Sequence, residues 1–278
     1  MDAPTIVASV YAAALAGGFL SVAVWESLAP ARAPSVRLGQ RWPTNLTLLA
    51  VNQIVVPWLV PVTAASAAWL AQDRGWGLAN LVAAPMVVAF AVTLLAFDVT
   101  RYLLHRALHG FPPLWRLHRV HHSDVDYDCT LALRFHPLEA VVSAFALAGV
   151  AIALGAPPWA VVASDALTLA AGLFAHGNAR LGPSVERALR RVLVTPALHS
   201  THHSVVREET DSNFGAVFSW WDRAAGTFRE RARAGDAIVF GLPEERDVSR
   251  LGLGRLLAMP FVPARGARAD GGDRGPPR

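Results

Sequence analysis

The chain has 278 residues, of which 53% are apolar and only 17% charged; soluble domains average about 25% charged, so lipid must be part of the solvent. The basic residues are all Arg and the net charge of +4 is mild and dispersed, which excludes an extended nucleic-acid footprint. Its single cysteine, Cys129, excludes an internal disulfide, a four-cysteine zinc site and a conventional iron–sulfur cluster.

In chain order, Ala3–Trp25, Asn45–Gln72 and Gly75–Phe97 run without a charge, and each meets the requirement of about 20 residues for crossing a hydrocarbon core. The first opens Met1-Asp2-Ala3-Pro4, with no basic n-region, and its apolar run is too long for a cleaved leader, so it reads as a retained helix. A fourth stretch, Ala140–Ala175, is broken by Gly155-Ala156-Pro157-Pro158 and carries Asp165. It reads as a helical hairpin that enters and leaves through one face. A charge inside such a helix costs roughly 2.5–3.5 kcal/mol, so Asp165 should be paired, neutral or near the boundary.

Arginine asymmetry orients these spans. Arg32, Arg37 and Arg41 follow the first span, whereas only Asp73 and Arg74 follow the second. The first loop is therefore expected in the cytoplasm, together with 101–136 and everything after the hairpin, where Arg180, Arg187, Arg190 and Arg191 follow. The expected fold is all-α: a multi-span transmembrane helical bundle with a cytoplasmic helical cap. Its expected organisation is membrane helices over 1–97, a catalytic region over 98–230 containing the membrane hairpin 139–176, and a C-terminal segment over 231–278. From about residue 262 the sequence is Arg, Gly, Asp and Pro with few apolar residues, a composition expected to be disordered.

All ten histidines fall between positions 105 and 203. They form the groups His105 and His109; His118, His121 and His122; and His199, His202 and His203, with His136 and His176 standing alone. Spacings of three and four put side chains about 5–6 Å apart on one helix face, close enough for two imidazoles to share an ion at about 2 Å. Adjacent pairs diverge by roughly 100° around a helix, so His121-His122 and His202-His203 can each face two ions. A lone histidine is ordinarily a core or surface residue, and that suffices for His136 and His176 in isolation. It does not suffice for two copies of HxxHH. Imidazole suits Fe, Zn, Cu and Ni. No Glu lies between paired histidines as a zinc protease requires, and no ExxH pairs of a carboxylate-bridged bundle occur. The spacing points to a binuclear, histidine-rich site and leaves iron and zinc open.

These residues resemble the fatty acid hydroxylase/sterol desaturase superfamily of integral-membrane, non-haem di-iron enzymes. The resemblance rests on Asp98-x-x-Arg101-Tyr102-x-x-His105-Arg106-x-x-His109, His118-Arg119-Val120-His121-His122-Ser123 and Arg134-Phe135-His136-Pro137-Leu138-Glu139. It continues through His176-Gly177-Asn178, Thr195-Pro196 with His199-x-x-His202-His203-Ser204, Asp211-x-Asn213-Phe214-Gly215 and Trp221-Asp222-Arg223 to Phe228, in the family's order. It implies two irons held by histidine, with zinc as a substitute in preparations. It also implies O2 as oxidant and hydroxylation or desaturation of a lipid C–H bond in a fatty acyl chain, a sterol or a related isoprenoid.

The electrons would come from a separate cytochrome b5-, ferredoxin- or reductase-like donor, since the chain shows no haem or flavin module. The implied location is a bacterial plasma membrane, with the site on the cytoplasmic face. His176 matches a family block and is expected to ligate, and His136, at the other end of the hairpin, joins the expected ligand set. Asp98, seven residues before His105, is expected to accept from a ligand's outer nitrogen, as are Asn178, Asp211 and Asn213. Phe214 stands where the family usually has Tyr, and the charged loop from Ser204 to Asp211 is expected to be solvated. Two other classes compete: a histidine-rich metal-binding membrane protein or transporter without redox activity, which should carry ligands at mid-membrane, and a zinc hydrolase, which lacks its general-base Glu.

Overall fold

The computed structural model describes residues 3–82 and 84–263, so the tail expected to be disordered lies largely outside the described residues. Its principal elements are α1 (Ala3–Leu28), α2 (Leu38–Leu59), α3 (Ala64–Arg74), α4 (Met86–Gly110), α5 (Pro112–His122), α6 (Pro137–Leu154) and α7 (Pro158–Ala175). Short helices follow: α8 (Pro183–Leu189), α9 (Pro196–His202), α10 (Arg207–Thr210), α11 (Trp220–Ala225) and α12 (Leu253–Ala258). Among the described residues β-pairing is limited to isolated bridges, such as Leu193 with Phe218. The protein is all-α. Among the described residues, five apolar segments are long enough to cross a membrane: those of α1, of α2 with its continuation, and of α4, α6 and α7.

The second expected span is two helices. Pro57 and Pro61 each remove a backbone donor, and the residue before Pro61 is driven to extended backbone, with Val60 at φ −131° and ψ 86°. The helix restarts at Thr63, whose side chain accepts from the Ser66 N–H at 3.1 Å, and stops at Gly75 in the left-handed region. The resulting α3, only 11 residues long, packs across the distal half of the α6–α7 hairpin. Ala64, Ala65, Ala67 and Ala68 are buried there against Ala148, Ala151, Ala156 and Val161. Small side chains on both sides let these backbones approach. At the hairpin tip the approach is closest: a Cβ on Gly77, at φ +91°, would lie 2.1 Å from the Gly155 nitrogen, so no other residue fits.

The third expected span also differs. Its first part is a glycine turn and a 3-10 turn, and the helix begins only after Pro85 and continues unbroken to Gly110. The domain boundary expected between 97 and 98 therefore falls inside α4. One rigid helix carries the membrane segment and the first two histidines together.

Opposite the hairpin tip, a buried polar lattice ties α2 to the segment after α5. Arg41 donates to Asp124 and Asp128, both at 2.6 Å. Arg134, fully buried, donates to the Val120 carbonyl, to Asn45 Oδ1 and to Ser123 Oγ. Burial opposes the charged form of Asp124, but Arg134 and Arg41 outweigh it and hold its carboxyl below the usual range. Such a lattice makes its partners costly to remove singly, and it fixes the end of α5, where three histidines sit. Cys129 is a packed core residue whose N–H and thiol both meet Glu26 of α1.

Candidate metal centre

Proline at the first turn of α5, α6, α7 and α9 sets where each helix begins. The start positions in turn set which residues fall at the ends. His105 and His109 lie in the last two turns of α4, while His118, His121 and His122 close α5. His199 and His202 close α9, His203 is its C-cap, and His176 is the C-cap of α7. Four helix C-termini thus converge on one place. Their carbonyl ends carry partial negative charge, which favours a bound cation.

Nine of the ten histidines form two groups, within each of which one ligand nitrogen per ring lies no more than 4.8 Å from the others. The first comprises His105, His109, His118, His122 and His202; the second, His121, His176, His199 and His203. The adjacent pairs divide between the groups as the 100° divergence requires: His121 from His122, and His202 from His203. The groups touch, the His122 and His203 rings stacking at 4.5 Å.

In the first group all five Nε2 atoms are buried without a hydrogen-bond partner. In four of these rings Nδ1 is engaged: His105 with the Phe214 carbonyl at 2.9 Å, His202 with the Ser212 carbonyl at 2.8 Å, His118 with Glu139 at 2.8 Å and, more loosely, His109 with Asp211 at 3.4 Å. An Nδ1 facing a carbonyl or carboxylate must donate, so Nε2 presents its lone pair inward. Buried polar atoms without partners are rare. Four lone pairs aimed into one space, with the unpartnered His122 Nε2 beside them, are what a cation satisfies.

The second group leads to the same conclusion by a different contact. His121 Nδ1 donates to the Arg134 carbonyl and His176 Nδ1 to the Gly172 carbonyl. Their Nε2 atoms, 3.3 Å apart, therefore face each other lone pair to lone pair. His199 Nε2 stands 3.0 Å from His176 Nε2. Nitrogens sharing one ion at about 2.1 Å are separated by roughly 3.0–3.4 Å, so the spacing fits ligands of a common metal. Burial keeps the rings in the neutral, ligating form: it pushes His176 down to about 4 and His202 to about 3, and holds His121, His122, His199 and His203 well below the ordinary value.

His136 lies outside both groups. Its Nδ1 caps α6 by accepting from the Leu138 N–H at 3.1 Å, and its Nε2 meets the Leu257 carbonyl at 3.2 Å. Both nitrogens are taken by backbone because His136 precedes the first turn of α6, one turn away from the residue that does face the site, Glu139. Of the four expected supporting residues, only Asp211 reaches a histidine. Asp98 instead accepts from the Val217 and Phe218 N–H groups and from Trp221 Nε1, clamping α4 to the loop after Asn213. Asn178 is bonded to the backbone of Arg32 through both side-chain atoms. Asn213, at φ 53°, braces Leu198 and Arg229.

The supporting contacts that the sequence reading missed are Glu139, although it was present in a motif, and the carbonyls of Phe214 and Ser212, which no side-chain pattern reveals. The loop after Ser204 is less solvated than expected. Glu209 is buried and accepts from the Arg233 N–H, and burial pushes Asp211 up to about 6. The Phe214 ring packs against His105, His109 and His202 at 5.1–5.6 Å, supplying bulk but no hydroxyl.

From the histidines a largely apolar chamber of about 910 Å³ runs between α1, α2, α4, α6 and α7 to the start of α3. Its lining includes His105, His118, His121, His176 and His199 and, at the break between α2 and α3, Val60, Thr63 and Ala64. Asp165 lines it too, paired with Arg101 and accepting from the Tyr11 hydroxyl at 2.7 Å. This is the pairing that an acidic group inside an apolar helix requires.

Residues 90–227 match the family model described as fatty acid hydroxylase. The ornithine lipid hydroxylase OlsE of Rhizobium tropici is 33% identical over 152 residues, covering 54% of this chain and 44% of that protein. The human alkylglycerol monooxygenase is 30% identical over 148 residues, covering 53% of this chain and 32% of that protein. The matched segment thus spans less than half the length of either relative. No solved structure matches. By name the relatives are an ornithine lipid hydroxylase and an alkylglycerol monooxygenase, the matched region holds all nine clustered histidines, and the histidine groups fit a metal site. Through residues 90–227 this membrane protein belongs to the fatty acid hydroxylase/sterol desaturase superfamily.

Proposed function

We propose that the protein is a di-iron oxygenase that hydroxylates or desaturates a lipid C–H bond with O2. The observation that carries this reading is the pair of buried histidine groups lining an apolar chamber between membrane helices. His105, His109, His118, His122 and His202 would hold one ion, and His121, His176, His199 and His203 the other. Bound iron would supply the activation of O2 that no side chain here can provide. An all-imidazole site also accepts zinc, so zinc in a preparation is compatible with the reading.

The chain's own residues supply position and exclusion. Backbone carbonyls and Glu139 fix the ring tautomers, which keeps the inner nitrogens free of protons. The chamber wall, apolar over most of its area, takes an alkyl chain from the bilayer and excludes water from its reacting carbon. Electrons would come from a separate donor protein, of the cytochrome b5, ferredoxin or reductase kind. Arg32, Arg37 and Arg41, which precede α2 or lie in its first turn, support a cytoplasmic site.

The reading is tested by comparing lipid extracts from cells with and without the gene by mass spectrometry. A lipid that gains one oxygen or loses two hydrogens only when the gene is present is the expected result. Unchanged lipids with a metal-loaded protein and an active donor system would instead favour a metal-binding membrane protein without redox activity. Reporter fusions at position 40 and after position 230 should both read cytoplasmic.

A further inference from the structure

Within the chamber wall, among the described residues and apart from the histidines, one buried hydrogen-bond donor has no partner: Nη1 of Arg101. The same guanidinium donates through Nη2 to Asp165 and lies over the Phe97 ring at 5.6 Å. Asp165 also accepts from Tyr11. Helices α1, α4 and α7 thus meet through this trio in a largely apolar wall, where the nearby Thr168 hydroxyl is bonded within its own helix. Each orphaned N–H in such surroundings costs stability, and Arg101, unlike Arg41 with its unpartnered Nη2, lines the chamber.

The geometry points to Arg101 as a specificity-determining residue that binds an uncharged oxygen acceptor (a carbonyl, ether or hydroxyl) on the lipid. This rests on the chamber being the substrate site of the proposed oxygenase. Two features define the ligand. The charge of Arg101 is already matched by Asp165, so a carboxylate would bring an uncompensated negative charge into an apolar space, whereas a neutral acceptor completes the donor without that cost. Position gives the second feature. Arg101 precedes His105 by one turn, about 6 Å of helix, and Asp165 precedes His176 by eleven residues, about 16 Å. The donor therefore stands between those two depths, and the acceptor it binds is several carbons removed from the carbon presented to the histidines.

The test uses full-length protein in detergent and three probes of equal chain length: methyl hexadecanoate, hexadecanoate and hexadecane. Relative affinities are read by native mass spectrometry. The wild-type protein should retain the ester roughly tenfold better than the hydrocarbon, the discrimination expected of one hydrogen bond from a charged donor, and should not favour the carboxylate over the ester. Tyr11→Phe/Arg101→Met/Asp165→Leu and Tyr11→Phe/Arg101→Met/Asp165→Val both delete the donor while leaving no unpaired charge and no freed hydroxyl. Each should bind ester and hydrocarbon alike, and whichever elutes as a monodisperse species decides. The inference is overturned if the wild type shows no preference for the ester, or if the preference survives in either variant. A wild type that prefers the ester but oxidises no lipid would instead count against the oxygenase reading alone.

Discussion

Glu139 gives the most direct test of how the site is built. Its Oε1 accepts from His118 Nδ1 at 2.8 Å, with both side chains all but fully buried. A buried hydrogen bond to a charged group contributes about 1.5–3 kcal/mol, which is roughly ten- to a hundredfold in affinity and the range seen when supporting partners of metal-bound histidines are lost. Glu139→Gln keeps an acceptor and loses the charge, so metal affinity at the first group should fall about tenfold. Glu139→Ala also strands the His118 Nδ1–H and should approach a hundredfold. Affinity is measured by chelator competition with purified protein, following release of each metal equivalent separately, and circular dichroism confirms that the helices persist. The second group, which Glu139 does not touch, should hold its ion as in the wild type. An Ala variant with unchanged affinity at both groups, or with equal loss at both, would refute the assignment of His118 and Glu139 to the first site.

Three further outcomes are expected. The protein should bind two metal ions per chain through nitrogen, and His176→Ala should lose the ion of the second group while retaining that of the first, with His105→Ala doing the reverse; elemental analysis with X-ray absorption decides, and loss of both ions from either variant would count against separate sites. His136→Ala should keep the full metal content and lose the cap of α6 and the bond to the Leu257 carbonyl, about 1–2 kcal/mol by thermal denaturation; a drop in metal content would return His136 to the ligand set. Asp98→Ala strands the N–H groups of Val217, Phe218 and Trp221 and should destabilise the fold by about 3 kcal/mol or more. An unchanged melting point accompanied by metal loss would instead place Asp98 in direct support of a ligand.

The first span, the hairpin, the paired histidine clusters and the separation of adjacent histidines between two groups were legible in the sequence. They follow from apolar length and from the angle between successive residues on a helix, both local properties. What was not legible depends on where backbone meets side chain at long range. Asp98 sits at a helical spacing suited to His105, yet two N–H groups and an indole nitrogen more than a hundred residues away claim its carboxylate. His136 resembles a ligand by motif, but the backbone of Leu138 and Leu257 takes both of its nitrogens. Glu139 was written in the same motif and passed over, because only the packing of α6 against α5 brings it to His118. The split of the second span could have been read from Pro57 and Pro61, whose effect on backbone donors is local.

The break between α2 and α3 also shapes the chamber. Because the chain breaks at Val60–Thr63 and α3 turns across the hairpin, Val60, Thr63 and Ala64 line the same cavity as the histidines. On the proposed reading, the side chains at this break bound the room left for a lipid. The alanines that let α3 pack so closely therefore set capacity as well as packing. Enlarging Ala64, which is itself almost fully buried, would crowd the hairpin and narrow the chamber together.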